Sequence, residues 1–368
     1  MKTEAAILWG LHEPWSVEEI ELDAPHYGEI QVRLAASGLC HSDDHCVKGD
    51  LIVGMPIIGG HEGAGIVEEV GPGVTRLKEG DHVVLAFIPA CGYCRWCSSG
   101  HQNLCDLGAL LMEGVPADGE FRAHARGQGL RTMSLLGTFS PYVVCHESSA
   151  IKIDDDLPLD IAALVGCGVT TGWGSAVNLA AVQPGETVVV AGAGGLGISA
   201  IQGAHISGAG TIVAVDPVEF KRESALQFGA THTVASMEEA MPLVSDLTRG
   251  VMVDAAVFIG SLVAGEHVRQ LLSLIRKGGR AVITSTANPS VQQVDLSLVE
   301  FVFFQKHLMG NVFGGGNPFV EIPKLLNLYR QGVLKLDEMV TADYKLSEIN
   351  QGYADLLDGK NLRGLIRF

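Results

Sequence analysis

Near residue 170 the chain changes character, and this switch limits its architecture more than any other feature. Before it, short β-rich runs such as EIQVRLAAS, GAGIVEEVG and DHVVLAF are separated by Gly, Pro and Asp turns, which predicts an antiparallel, barrel-like domain. After it, the apolar strand candidates TVVVAGAG, TIVAVD, THTVAS, VDAAVFIG, RAVITS and HLMGNVF alternate with helical patterns at about 195–208, 218–228, 237–248 and 262–277. That alternation predicts a doubly wound parallel sheet, so the fold class is α/β. From about 313, IPKLLNLYRQGVL and INQGYADLLDGK read as helices, and LRGLIRF as a strand returning to the first domain. The predicted division places residues 1–168 and 313–368 in one domain and 169–312 in the other. A chain of 368 residues exceeds what one ordinary core holds. The long Gly-rich stretch at about 109–136 reads as a functional or interfacial loop.

Within the β-rich part, Cys91, Cys94, Cys97 and Cys105 form a C-x2-C-x2-C-x7-C run. Four thiolates from a tight loop suit tetrahedral Zn²⁺, and such a closed shell leaves no position for substrate, so this lobe is expected to be structural. The other readings are a disulfide knot or scattered core cysteines; the close spacings and the absence of a secretory pattern in MKTEAAILWG disfavour them. With 47% hydrophobic and 18% charged residues the chain reads as a well-buried globular protein, and no apolar run reaches the roughly 18 residues of a membrane span. The formal charge of −17 repels nucleic acid and anionic membranes, so neither is an expected partner. Reduced cysteines and no export pattern point to the cytoplasm.

A second signal lies in AGAGGLG, where Gly192, Gly194 and Gly197 form G-x-G-x-x-G with Gly195 and Leu196 between. The motif is weak alone but strong directly after the strand TVVV and at the start of a helix, with Asp216 ending the next strand 19 residues after Gly197. Gly192 permits the tight turn, Gly194 lets the backbone approach a pyrophosphate, and Gly197 lets helix and strand pack closely. The helix N-terminus then offers free N–H groups to the phosphates. An Asp216 carboxylate would accept from ribose hydroxyls and repel a 2′-phosphate, favouring NAD over NADP. The bland alternative is that Asp216 caps a helix opened by Pro217.

The third constellation is GLCHSDDH at 38–45, GGHEGAG at 59–65 and GCGVTTGWG at 166–174. Singly these pieces are ambiguous, because Cys and His are often satisfied core residues. Beside a zinc lobe and a dinucleotide motif, they make the chain resemble, over essentially its whole length, the zinc-containing medium-chain alcohol dehydrogenases. The resemblance implies a GroES-like catalytic domain and a Rossmann domain.

It also implies roles residue by residue. Cys40, His61 and Cys167 match catalytic zinc ligands, and the four clustered cysteines match structural ones, giving two Zn²⁺ per chain. Glu62 matches an acidic residue near the metal, and Asp43 the carboxylate that orients the His61 ring. Ser42 matches the hydroxyl that receives the alcohol proton, and His45 the end of a relay that passes a nicotinamide ribose hydroxyl. Asp216 and Lys221 match ribose contacts, Thr171 a residue packed on the nicotinamide, and Arg363 a pyrophosphate contact. His41 stands where many relatives carry Arg, which predicts a weaker, pH-dependent clamp on the pyrophosphate. Phe87, Leu135, Leu136, Thr286 and Val312 match an apolar pocket suited to a small or medium primary alcohol or its aldehyde. Cys46 and Cys145 match no role and are expected in apolar packing.

The stretches SGLCHSDDH, GCGVTTGWGSAVN, AVDPVEFKRE and INQGYADLLDGKN look most like the actinobacterial N,N-dimethyl-4-nitrosoaniline-dependent alcohol dehydrogenases. That group is associated with NAD(H) that does not exchange freely and is re-oxidised in place by an external acceptor, a dye or a mycofactocin-like redox peptide. The nearest rival is glutathione-dependent formaldehyde dehydrogenase. Asp50 matches one of its acidic contacts, but Ile52 stands at the second and Ala109 where a carboxylate-binding Arg is expected. A rival of another class is a non-catalytic, crystallin-like NAD(H) binder, which the intact Cys40, His61 and Cys167 set disfavours. Family analogy further implies a homodimer.

Overall fold

The computed structural model describes residues 1–288, 291, 293–294 and 296–368. The chain forms two units, Met1–Gly168 with Gly316–Phe368, and Val169–Gly315.

In the first unit the short strands of the N-terminal half pair as their turn-separated pattern requires. Lys2–Leu8, Ser16–Leu22, Ala123–Ala125, Gln128–Thr132 and Ile57–Ile58 close into a barrel. A second sheet runs Ala150–Lys152, His82–Leu85, Gly63–Val70, Glu29–Gly38, Arg363–Arg367, Val340–Tyr344, with Tyr142–His146 also paired to Glu29–Gly38. Glu29–Gly38 is the spine of this unit: it is almost wholly buried and bonds to three other strands. Its first half alternates Glu29, Gln31 and Arg33 with Ile30, Val32 and Leu34 as a half-exposed strand would, yet Glu29 and Gln31 are buried too, and only Arg33 is exposed. The C-terminal LRGLIRF does return, with Leu365 opposite Gly38 in antiparallel register.

The Gly-rich stretch at 109–136 is more ordered than its composition predicts. Ala123–Ala125 and Gln128–Thr132 form a hairpin across Arg126 (φ 52°) and Gly127 (φ 75°). A two-residue loop with both φ positive matches the right-handed twist of its strands. Arg at the first position hides the signal, because Asn or Asp normally announces such a turn.

The second unit is a parallel sheet ordered His232–Val234, Thr211–Val215, Thr187–Ala191, Val253–Phe258, Ile275–Ile283, His307–Gly310. This is the doubly wound order in which the chain reverses direction beside its first strand, leaving a crevice at that strand's carboxyl end. Val189 and Ala191 face a core shared with Ala240 and Val244 of the helix Met237–Leu247 and Val268 and Leu271 of Gly265–Leu274. Val188 and Val190 alternate to the other face and are equally buried. The helix expected at about 262–277 is shorter: Leu262–Val263 is a strand paired with Thr286–Ala287, and Ile275 already belongs to the next sheet strand. Apolar residues at both edges of that helix satisfy the strand and helix patterns alike, so periodicity does not set its ends.

A second core of the first unit centres on Phe139, fully buried between Trp15 (centroids 5.6 Å, edge-on) and Tyr353 (6.2 Å). Its backbone is fixed on both sides, by Phe139 N to Gly59 O at 2.9 Å and Ala6 N to Phe139 O at 2.9 Å. The surroundings therefore have little freedom to collapse into a vacated ring site. Phe139→Ala is expected to cost about 3–5 kcal/mol of unfolding free energy, read as a lowered denaturant midpoint of the first unit's transition. A change below about 1 kcal/mol would show that this core is not closely packed.

Candidate functional site

Cys40 is the N-cap residue of the helix His41–Lys48, and His61 and Glu62 immediately precede the strand Gly63–Val70. Cys167 ends the 3-10 turn Ala163–Gly166. Three sequence-distant segments thus meet: one ligand atom each from Cys40, His61, Glu62 and Cys167 lies within 4.8 Å of the others, and all four residues are buried. Their surroundings orient them. Asp43 accepts from Gly60 N at 2.8 Å through Oδ1, and its Oδ2 lies 3.2 Å from His61 Nδ1. Both His61 ring nitrogens are buried without a geometric hydrogen bond, and a carboxylate set beside Nδ1 suits Nε2 to be the donor to a cation. Glu62 is committed elsewhere: Oε1 accepts from Gly168 N at 3.1 Å and Oε2 is ion-paired with buried Arg363.

Electrostatics follow from burial. Cys40 is held well below the ordinary thiol range, chiefly by a hydrogen bond from Cys167, and the same contact together with burial pushes Cys167 well above it. Burial works against charge on His61, but Asp43 and Cys40 outweigh it and raise its pKa. Burial lifts Glu62 to about 7 despite Arg363. A site that concentrates two thiols, an imidazole and a carboxyl away from water needs a cation, and this donor set fits Zn²⁺.

The second cluster, Cys91, Cys94, Cys97 and Cys105, also has its four sulfurs within 4.8 Å of one another. Sγ separations are 3.9 Å for Cys91–Cys97 and 4.0 Å for Cys94–Cys105. Four sulfurs about 2.3 Å from a tetrahedral zinc stand about 3.8 Å apart, and all eight cysteines are free thiols, so the disulfide reading fails. Backbone N–H groups converge on the sulfurs: Cys91 N on Cys105, Cys94 N on Cys91 and Cys97 N on Cys94, at 3.3–3.4 Å. Amide donors favour the thiolate form; the Asp106 amide is the main reason Cys94 falls to about 6, while burial holds Cys105 at about 12.

In the other unit, Gly192 follows the strand Thr187–Ala191 with φ +101°, and a Cβ there would stand 1.9 Å from Ile259 O. A Cβ on Gly197 would meet Gly192 O at 1.8 Å, whereas around Gly194 nothing lies within 4 Å. The loop is therefore tight where the chain turns and open where Gly195 and Leu196 begin the helix Gly195–Ile206, leaving room for a phosphate against unpartnered N–H groups. Asp216 closes the same loop, its Oδ2 accepting from Ala193 N and its Oδ1 from Val218 N, both at 2.9 Å. The capping reading of Asp216 is thus partly realised, yet two oxygens with four lone-pair sites retain capacity for hydroxyl donors. Lys221 lies on the next helix, Glu219–Gln227, half-buried. Thr171 Oγ1 is buried without a hydrogen-bond partner, while Thr171 O accepts from Ser175 Oγ at 2.8 Å and Asn311 Nδ2 at 3.3 Å. An orphaned buried hydroxyl beside this loop's sheet fits a nicotinamide-type ligand better than an apolar core.

The remaining positions separate. Ser42 Oγ lies 3.6 Å from Cys40 Sγ, His41 opens its helix half-buried, and Phe87 meets the His61 ring edge-on at 6.0 Å. Leu135 and Leu136 do not join Phe87: Leu135 lines a different cavity of about 660 Å³, bordered by His26, Arg122 and His146 and by none of the ligating residues, and Leu136 packs with Ile30, Val32 and Leu85 in the core. The backbone explains it, since Leu135 takes φ +60° and the two side chains diverge. Thr286 and Val312 belong to the second unit. Cys46 and Cys145 are buried in apolar clusters. Two contacts escape sequence reasoning. Tyr353 OH lies 3.4 Å from Cys40 O across 313 positions, and Asp50 approaches His45 at 2.9 Å. Only proximity in space reveals the first; the second is foreshadowed by Gly49, which ends the helix and turns the chain back.

Comparison with known proteins agrees with this geometry. Residues 26–155 match the alcohol dehydrogenase GroES-like domain and residues 195–331 the zinc-binding dehydrogenase domain. Over the full chain the protein is 50% identical to alcohol dehydrogenase B of Mycobacterium tuberculosis, covering 99% of it. It is also 50% identical to the NDMA-dependent alcohol dehydrogenase of Amycolatopsis methanolica, covering 99% of that protein. The crystal structure of benzyl alcohol dehydrogenase from Acinetobacter calcoaceticus superimposes with a TM-score of 0.93 at 29% identity, over 100% of this chain and 99% of that one.

The two metal clusters share no ligand. Cys167→Ala is expected to lower bound zinc by one equivalent per chain and leave the Cys91–Cys105 cluster filled, as read by elemental analysis of the purified protein. Unchanged zinc content together with full turnover would remove Cys167 from the ligand set.

Proposed function

The chain belongs to the zinc-binding alcohol dehydrogenases, and we propose that it interconverts primary alcohols and aldehydes with NAD(H), using one zinc at Cys40, His61 and Cys167 and holding a second at the four-cysteine lobe. The observation that carries this reading is the buried convergence of those three donors with Glu62. Because Glu62 is occupied by Arg363 and Gly168, Cys40, His61 and Cys167 would hold the metal as three protein ligands, the number found in catalytic rather than structural zinc sites. Zinc there would act as a Lewis acid on the alcohol oxygen and lower its pKa. NAD⁺ would supply the two-electron acceptor.

The protein's own share is charge, orientation and proton movement. Two thiolates with a neutral imidazole balance a divalent cation, so an anionic oxygen adds only one net charge to a low-dielectric site. Asp43 fixes the His61 ring, and the Glu62–Arg363 pair surrounds the site with a second, closed charge balance. Ser42 is the first acceptor of the alcohol proton and His45 the terminal base. Asp216, at the end of its strand, selects a ribose over a 2′-phosphorylated one, and Lys221 and Arg363 are proposed cofactor contacts. Phe87 supplies an apolar edge next to His61, suited to an alcohol with an aromatic or aliphatic body. The solved benzyl alcohol dehydrogenase supports that choice, as a related protein named for such a substrate.

The 50% identity to an NDMA-dependent enzyme supports a narrower reading. NAD(H) stays bound between turnovers, and an external redox acceptor re-oxidises it in place. Slow opening over the cofactor would then make release slower than chemistry. The formaldehyde dehydrogenase alternative loses support from Asp50, whose carboxylate is engaged by His45. A homodimer in the cytoplasm completes the proposal.

Two outcomes are expected. Asp216→Gly should weaken NAD binding and shift preference toward NADP, because the ribose acceptor and the repelling charge both go; unaltered discrimination in steady-state assays with the two cofactors would place specificity elsewhere. Purified protein should carry NAD(H) through desalting, seen by native mass spectrometry, and oxidise alcohols rapidly only with an artificial acceptor. Cofactor-free protein with ordinary saturation by NAD⁺ would refute retention while leaving the dehydrogenase reading intact.

A further inference from the structure

His45 is buried, its side chain 4% exposed, and its Nδ1 stands 2.9 Å from Asp50 Oδ2, whose side chain is 27% exposed. Asp50 lies beyond the helix His41–Lys48, and Gly49, at φ +78°, ends that helix in the left-handed conformation and turns the chain back. Leu51 N donates to His45 O at 3.1 Å, which secures the reversal directly under the ring. The neighbouring carboxylates are committed elsewhere: Asp44 pairs with Lys48 at 2.7 Å, and Asp43 serves Gly60 N and His61. Asp50 is thus the carboxylate placed against the His45 ring.

We infer that Asp50 is a positioning residue for the proton relay: it keeps the His45 proton on Nδ1, so that Nε2 carries the lone pair that receives the alcohol proton. The inference rests on the alcohol dehydrogenase reading proposed above and deepens it. A neutral imidazole has one donor and one acceptor nitrogen, and the partner of one decides the role of the other. A carboxylate accepts only, so facing Nδ1 it selects the Nδ1–H tautomer, the logic by which a buried carboxylate serves a catalytic histidine in serine hydrolases. In alcohol oxidation the alcohol O–H bond breaks and its electron pair stays on oxygen. The proton is taken up at Nε2, and the resulting imidazolium faces the Asp50 carboxylate. Release of the Nε2 proton then restores the neutral Nδ1–H ring, and Asp50 stays a carboxylate throughout.

The test uses the full-length, zinc-loaded protein. Nitrogen-15 NMR of the histidine rings, with the His45 signals identified by their loss in His45→Gln, should show the Nδ1–H tautomer in the wild type and a shift toward Nε2–H in Asp50→Ala. The Asp50→Ala variant should lose about 10-fold or more in kcat for alcohol oxidation, with KM for the alcohol and zinc content nearly unchanged. In a His45→Gln background the same substitution should cost little further, because both changes remove one relay. An unchanged tautomer, an unchanged kcat, or additive losses in the double variant would overturn the inference while leaving a wild-type alcohol dehydrogenase in place. Wild-type protein that oxidises no alcohol with any acceptor would instead refute the dehydrogenase reading, and the relay with it.

Discussion

The ion pair between Glu62 and Arg363 ties the first unit together. Both groups are almost completely buried, and they come from positions 301 residues apart. Burying either charge alone would cost several kcal/mol, and removing one partner of such a pair typically destabilises by about 3–5 kcal/mol. The carboxylate is therefore tolerable beside two thiols only because the final strand, Arg363–Arg367, threads back along Glu29–Gly38 and delivers a guanidinium to it. That return makes the first unit discontinuous in sequence and encloses the second unit's residues as an insertion between 168 and 316.

The same economy of charge governs the metal clusters. Thiolates are costly in a dry interior, and each cluster solves this differently. At Cys91–Cys105 the sulfurs collect backbone N–H donors from their own loop, so the loop is preorganised by a few residues and needs no distant help. At Cys40, His61 and Cys167 the support comes from side chains on other elements: Asp43 for the imidazole, and Arg363 by way of Glu62. Local support suits a site that only holds its loop together. Distant support, which couples the ligands to the packing of Phe139, Trp15 and Tyr353 through the Tyr353 contact to Cys40, suits a site whose ligand geometry must stay fixed while substrates come and go.

Where the chain's chemistry is local, the sequence by itself determined it. The four-cysteine spacing, the G-x-G-x-x-G loop after TVVV, and the alternation of apolar strands with helices each express one element and its immediate turn. Their residues meet because they are neighbours in the chain, and the structure finds them so. The Cys40, His61 and Cys167 cluster was legible only through family resemblance, since nothing in the residues between Cys40 and Cys167 requires those two sulfurs to approach. What only the tertiary structure decided are the relations between distant elements: Arg363 against Glu62, Tyr353 against Cys40, and the divergence of Leu135 and Leu136 from Phe87. A hairpin hidden by Arg126 and the shortened helix Gly265–Leu274 belong with them. In each case the local pattern permits more than one conformation, and burial of charge or packing of rings, which act across space and carry no signature in sequence spacing, selects among them.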